Sequence, residues 1–312
     1  MSGARPPLRP EPTARGLASL DPAELAELVT TAWGGMIELS GGLDLERPSR
    51  RPGRTVRDVL IPLGSWPEHL RFERLVDEVR TRRVPARDDV GARNALVVAA
   101  HRDADPADID AALRRARDAA LAFLRSPEAE QLGRELADSP VGALPLSGVI
   151  AASAYQLALR ALDVAPPDDV PAGLLDAGVG TLVDTTGALA ARSGVSTTFA
   201  VLTQLGGWVS GSGPECWTTM RLPEGLPAAE LGWPSLEGAA ADVLDGSAGR
   251  RPVLSLVLAR RLRLHDVPGL ITLLPALEAV PGLPGGAGLR AATRALGRAG
   301  HLMGQLGAVV RG

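Results

Sequence analysis

The sequence has no lysine, a single cysteine and few aromatic residues, and each shortage excludes something. With one thiol, Cys216, no disulfide can form within the chain, which points to a reducing compartment. With aromatics at 3%, the core must be built from Leu, Val and Ala, which favours helices. No run of about 18 apolar residues is present, so no membrane span is expected. The opening MSGARPPLRPEPTARG carries arginines but no apolar stretch and does not read as a signal peptide. The expected location is the cytoplasm. A net charge of −3 gives no electrostatic case for a nucleic-acid partner. All 33 residues of the Lys+Arg total are arginine, amid abundant Ala, Gly, Pro and Asp, the bias of GC-rich coding. An arginine therefore means little here by type alone.

What is present suffices for two ordinary domains. The chain has 312 residues, 45% hydrophobic and 22% charged. Residues 1–20, rich in Pro, Arg and Gly, read as a flexible arm. Asp21 then caps a first helix, with Pro22 at its first position and Leu25, Leu28, Val29 and Trp33 on one apolar face. Residues 43–54, LDLERPSRRPGR, read as a solvated loop rather than an anion site, since nothing in the sequence orients the arginines. A second helix is expected from about Val56 to Arg80, opened by the Thr55–Asp58 capping box. Pro62 falls inside it and demands either a kink or a stop and restart near Gly64–Pro67. Residues 84–105 read as a connector. Asp105–Pro106 starts a third helix with Ile109, Leu113, Ala120, Leu121 and Leu124 buried. A fourth helix covers about Leu146 to Val164. Four such helices fit a bundle over residues 21–165.

After a linker and connecting helix at 166–194, the pattern changes. STTFAVLTQLGGWVSGSGPECWTTMRLP has β-branched runs broken by glycines and predicts two or three strands, with SGSGPE as a hairpin turn. PVLSLVLARRLRLHDVPGL reads as a strand and turn, ITLLPALEAV as an apolar helix between two VPGL tetrapeptides, and Leu289–Val310 as a helical tail. Residues 195–312 thus form an α+β domain, and the fold class is α+β. Cys216 as nucleophile, His265 beside Asp266 as a dyad, and GGAGLR as a nucleotide loop all lack the flanking residues such chemistry needs. His101 and His301 have no supporting residues in the sequence either.

Two stretches carry a family resemblance. TVRDVLIPLG, Thr55–Gly64, resembles the second helix of the DinB-like metal-binding domain of mycothiol-dependent maleylpyruvate isomerases, where the run reads TVRDVLAHLG and the histidine is a metal ligand. YQLALRALDV, Tyr155–Val164, resembles the family's R-E-V-V-I-H-A-V-D-L, whose Glu and His complete the site. A pair four apart projects from one helix face and suits chelation. In this chain the three ligand positions match Pro62, Gln156 and Arg160. Proline offers no donor, glutamine is a poor ligand, and arginine repels a cation. The metal site is therefore expected to be degenerate, with no cofactor. His69, with Glu68 and Glu73 nearby, is the one replacement candidate. Arg160 needs a partner, and Asp163 or Gln156 on its own helix is preferred to an anionic ligand. WPSLEGAAADVLDGSAGRRP resembles part of a sterol-carrier-like domain, with Phe199, Val201, Leu254, Leu256, Val257, Leu273, Leu274 and Leu277 lining a tunnel or simply filling a core.

The resemblance implies a non-catalytic family member that binds a small apolar or anionic ligand, or a protein partner, at Pro62, Trp66, Tyr155, Gln156 and Arg160. A homodimer or an active paralogue is the protein partner it suggests. The alternative is a mycothiol-dependent isomerase or S-transferase using a divalent metal. Elemental mass spectrometry on protein purified without chelator or affinity metal should find well below one zinc, nickel or similar ion per chain. A tightly held stoichiometric ion would show that the ligand positions were matched wrongly.

Overall fold

The computed structural model describes residues 14–82, 90–223, 225–273 and 276. Contacts divide the chain into a helical unit, Arg15–Leu182, and a second unit of Met1–Ala14 with Val183–Gly312. The whole is α+β, with helices first and a sheet after.

The helical unit opens on a 3-10 turn, Gly16–Ser19, whose Leu17 is 1% exposed. That part of the expected arm is packed, and residues 1–13 lie outside the described residues. Helix α1, Pro22–Ser40, starts as its sequence dictates: the Asp21 carboxylate accepts the Ala23 N–H at 2.7 Å, and Pro22 takes a position that needs no amide hydrogen. Helix α2, Val56–Leu60, has both halves of the Thr55–Asp58 capping box, but its ladder ends at Leu60. Ile61–Leu63 form a 3-10 turn around Pro62, and α3, Phe72–Arg80, begins only at Phe72. The single helix expected over Val56–Arg80 is therefore two. The proline stops the first, and the loop before the second is longer than the sequence suggests.

The expected connector contains a helix, α4, Val90–Ala100. Only Val97 and Val98 of its apolar run are well buried, while Leu96 is 72% exposed, so its buried stripe is too narrow to show as a period. Helix α5, Pro106–Leu124, has a capping box of Asp105 and Asp108 and buries all five of its expected core residues. Then come α6, Ala129–Leu132, and a two-residue antiparallel pair, β1 Leu136–Ala137 with β2 Leu144–Pro145. The expected fourth helix is interrupted at Ala152, giving α7, Leu146–Ala151, and α8, Ser153–Val164.

Helix α1 packs on α5 and α8, α2 on α8, and α3 on α5. At the centre, the fully buried Trp33 donates its indole N–H to Ser153 Oγ at 3.2 Å and meets the Phe72 ring edge-on at 6.0 Å. Burying such a ring contributes on the order of 2 kcal/mol or more.

Helix α9, Ala172–Arg192, spans the contact boundary. In the second unit, strands β3 Thr197–Thr203, β4 Gly206–Gly213 and β5 Cys216–Leu222 form the expected meander, with Pro214 and Glu215 at the β4–β5 turn. After α10, Ala228–Leu231, strand β6, Ser235–Gly238, pairs parallel to β3. Next come α11, Ala240–Ser247, and α12, Val253–Leu258; then β7, Leu262–His265, antiparallel to β6, and α13, Val267–Ile271. The sheet order is β5-β4-β3-β6-β7. VLSLVL is thus a helix where a strand was expected. A short run apolar on all sides fits either, and Arg260, at φ 56°, ends it. Asp184 on α9 accepts the Trp217 indole N–H at 2.8 Å, and a Cβ on Gly187 would fall 2.1 Å from Ser210 Oγ, so this helix lies close on β4 and β5. The expected helical tail, the Gly282–Gly288 loop, the second VPGL and most of ITLLPALEAV lie outside the described residues. Among the described residues, no helix is long and apolar enough to cross a membrane.

Gly64 follows the proline turn, and a Cβ there would sit 2.6 Å from Ala112 Cβ on α5. Gly64→Ala is expected to cost about 1–3 kcal/mol in a denaturant titration through this overlap. Gly42→Ala, with nothing within 4 Å, should leave the midpoint nearly unchanged.

Candidate anion site

The loop at residues 43–54 is not a free solvated loop. Pro48 and Thr55 form an isolated bridge, and the Ser49 N–H donates to Arg54 O at 2.9 Å, closing it into a hairpin. The loop then docks on the last turn of α8, whose carbonyls have no helical donors. The Arg50 N–H donates to Asp163 O at 2.8 Å and its guanidinium to Leu162 O at 3.0 Å, while the Arg47 guanidinium donates to Val164 O. The charges are oriented after all, by helix-end carbonyls.

On α8, Gln156 and Arg160 share a face by their spacing of four, and both are half-buried. The Arg160 guanidinium donates to the Asp163 carboxylate at 3.1 Å, with exposures of 24% and 3%. The expected internal partner is Asp163, not Gln156. Arg51 is exposed at the loop's tip, beside this pair. Burial, and then the like charge of Arg160, push the Arg51 guanidinium down from its ordinary value, with Asp163 working the other way.

Pro62 is half-buried, and its carbonyl accepts the Arg71 guanidinium at 3.2 Å. Arg71 stands at the entry to α3, half-buried, with its guanidinium carbon 5.5 Å from the centre of the Phe72 ring. Burial, and then the like charge of Arg160, lower that guanidinium to about 10. It stays protonated at neutral pH, so the shift measures the cost of holding charge there. Among the described residues, no carboxylate forms an ion pair with Arg71 or Arg51. Arg160 thus pairs with Asp163, Arg51 lies near that pair, and Arg71 lies near Arg160. Neither Arg51 nor Arg71 was legible as a site residue. Their only sequence signal is position, one in an arginine-rich loop and the other between Leu70 and Phe72.

The remaining expected residues lie differently. Trp66 is 4% exposed, donates its indole N–H to Ile61 O at 2.9 Å, and stacks on His101 at 3.7 Å, so it braces the turn after Pro62 against the end of α4. Tyr155 is half-buried beside Gln156, and neighbouring helix positions point apart. Glu68 pairs with His101, whose hydrogen bond leads the causes that hold its carboxyl below the usual range. His69 is pushed down by burial first, then by Arg93, Arg71 and Arg74. The candidate replacement ligand thus sits among guanidiniums, which oppose a cation. Among the described residues, no three His, Cys, Asp and Glu side chains gather as a cation site.

In the second unit, a cleft of about 500 Å³ opens beside Leu202, Gln204, Leu226, Pro227 and Glu237. None of the expected tunnel residues that are described lines it. Phe199, Val201, Leu256 and Leu273 are buried, Leu254 and Val257 half-buried, and Leu274 and Leu277 outside the described residues. His265 pairs with Glu237 at 3.1 Å rather than with Asp266, and Cys216 opens β5.

No family model matches the chain, and no curated protein matches it. Among solved structures, it is similar to a crystal structure of the mycothiol-dependent maleylpyruvate isomerase. Sequence identity is 14%, the match covers 76% of this chain and 92% of that one, and the TM-score is 0.47. A mutant of that isomerase matches at 15% identity with the same coverage and a TM-score of 0.44.

The lowered His69 value means that the fold prefers the neutral imidazole. Its stabilising share is complete above the free-histidine range and is lost as pH falls through about 6.5 towards the folded value. His69→Gln should therefore flatten the loss of thermal stability between about pH 7 and 5. A variant that loses stability as steeply as the parent over that interval would contradict this.

Proposed function

We propose that the helical unit binds a small oxyanion, a carboxylate or phosphate group, through Arg51, Arg71 and Arg160. The observation that carries this is Arg71: an enclosed guanidinium bonded to the Pro62 carbonyl, close to a second guanidinium, with no ion-pair partner among the described residues. Buried charge is normally matched by opposite charge. An anion would supply that match, and guanidinium donors suit its geometry.

The resemblance in Thr55–Gly64 and Tyr155–Val164 supports the further reading that a divalent-metal site has been replaced. The positions matching the metal ligands hold a proline whose carbonyl faces a guanidinium, a glutamine, and an arginine paired to Asp163. That donor set does not fit a divalent cation. A thiol-dependent isomerase or transferase would need the cation to lower the thiol's pKa and ranks second. The chain is therefore read as a non-catalytic binding protein whose ligand carries an anionic group.

The test is thermal unfolding in phosphate, sulfate or acetate against chloride at equal ionic strength. A bound anion at ten times its Kd stabilises by about 1.4 kcal/mol. Arg71→Met should remove that oxyanion-dependent stabilisation, while its anion-free midpoint reflects a deleted charge set against a bared Pro62 carbonyl. If no oxyanion stabilises the parent beyond chloride, the reading fails.

A further inference from the structure

The cleft of about 500 Å³ in the second unit lies at the carboxyl ends of β3 and β6, which run parallel. Leu202 and Ala228 on its wall belong to one buried apolar cluster, and Leu226, also on the wall, packs against that cluster. Gln204 lines the cleft, and its side-chain oxygen accepts the Ala240 N–H at the start of α11, at 3.0 Å. That bond settles which end of the amide is which and leaves the NH2 group to donate. Among the described residues, nothing accepts from it. Glu237 lines the cleft too. His265 holds one of its carboxylate oxygens at 3.1 Å and Arg263 the other at 3.4 Å, both from β7. Each oxygen keeps room for a further donor. Arg263 already sets a positive charge against this carboxylate, which favours a neutral donor there over a cation.

We infer that this cleft binds a neutral, partly apolar molecule that presents an N–H beside a carbonyl, as a ring amide does. The ligand's carbonyl accepts from Gln204, its N–H donates to Glu237, and its apolar body lies over Leu202, Leu226 and Ala228. Both protein groups are held by other bonds before the ligand arrives, which lowers the ordering cost of binding. The site lies within the second unit and does not depend on the arginine site.

The experiment is a ligand-observed NMR titration of the full chain with carbostyril, a fused ring amide. Its N-methyl derivative, which has no N–H, and naphthalene, which has neither polar group, are titrated beside it. Carbostyril should bind about tenfold more tightly than the N-methyl compound. Gln204→Glu keeps an oxygen for the Ala240 N–H but replaces the open donor with an acceptor. It should weaken carbostyril binding by about tenfold or more while the thermal midpoint stays close to the parent's. Glu237→Gln serves if that variant folds poorly, and should weaken carbostyril as well. No binding of carbostyril by the parent, equal binding of all three compounds, or unchanged carbostyril binding in a folded variant of either residue would overturn the inference. None of these outcomes bears on the arginine site.

Discussion

Guanidinium groups laid against carbonyl oxygens hold the irregular parts of the helical unit together. Arg47 and Arg50 close the end of α8, Arg71 takes the Pro62 carbonyl, Arg115 on α5 takes Ser65 O, and Arg57 takes Ala104 O. A helix end leaves several carbonyls without donors, and a buried one left bare costs roughly 1–3 kcal/mol. With no lysine in the chain, the long planar side chain of arginine fills this role throughout. The arginine site grows out of the same arrangement. The loop that Arg47 and Arg50 dock on α8 carries Arg51, the proline turn's carbonyl holds Arg71, and Arg160 pairs with Asp163.

The proline turn shows how one residue propagates. Pro62 ends α2 and tightens the chain into a 3-10 turn, which frees its own carbonyl for Arg71. Gly64 then lets the backbone approach α5 closely enough for the Ser65 N–H to reach Ala112 O at 2.9 Å. The Ser65 hydroxyl in turn accepts the Arg71 N–H at 3.0 Å, so the turn positions the residue whose charge defines the site. Phe72 follows immediately and packs edge-on against Trp33, which locks the geometry into the core.

Local signals were legible where the chemistry is local. The Asp21, Thr55 and Asp105 caps and the prolines at first helical positions placed α1, α2 and α5, and glycines among β-branched runs placed the β3–β5 meander. The two outcomes for Pro62 were foreseen without a choice between them, since that choice is made by Gly64 against Ala112, far apart in sequence. VLSLVL misled because an apolar hexamer has no period to read. For the site, Arg160 came from the family resemblance, with its partner on the same helix left open between Asp163 and Gln156, and the structure gives Asp163. Arg51 and Arg71 did not, because a guanidinium's role depends on which carbonyls and charges surround it, and those come from other elements.

The arginine site also has a fixed sign. Lysine can be acylated and loses its charge, whereas arginine stays cationic across the physiological range and keeps its charge even when methylated. The charge on Arg51, Arg71 and Arg160 is therefore beyond the reach of acetylation and of ordinary shifts in pH. If an anion binds there as proposed, its occupancy would follow its concentration rather than modification of these side chains.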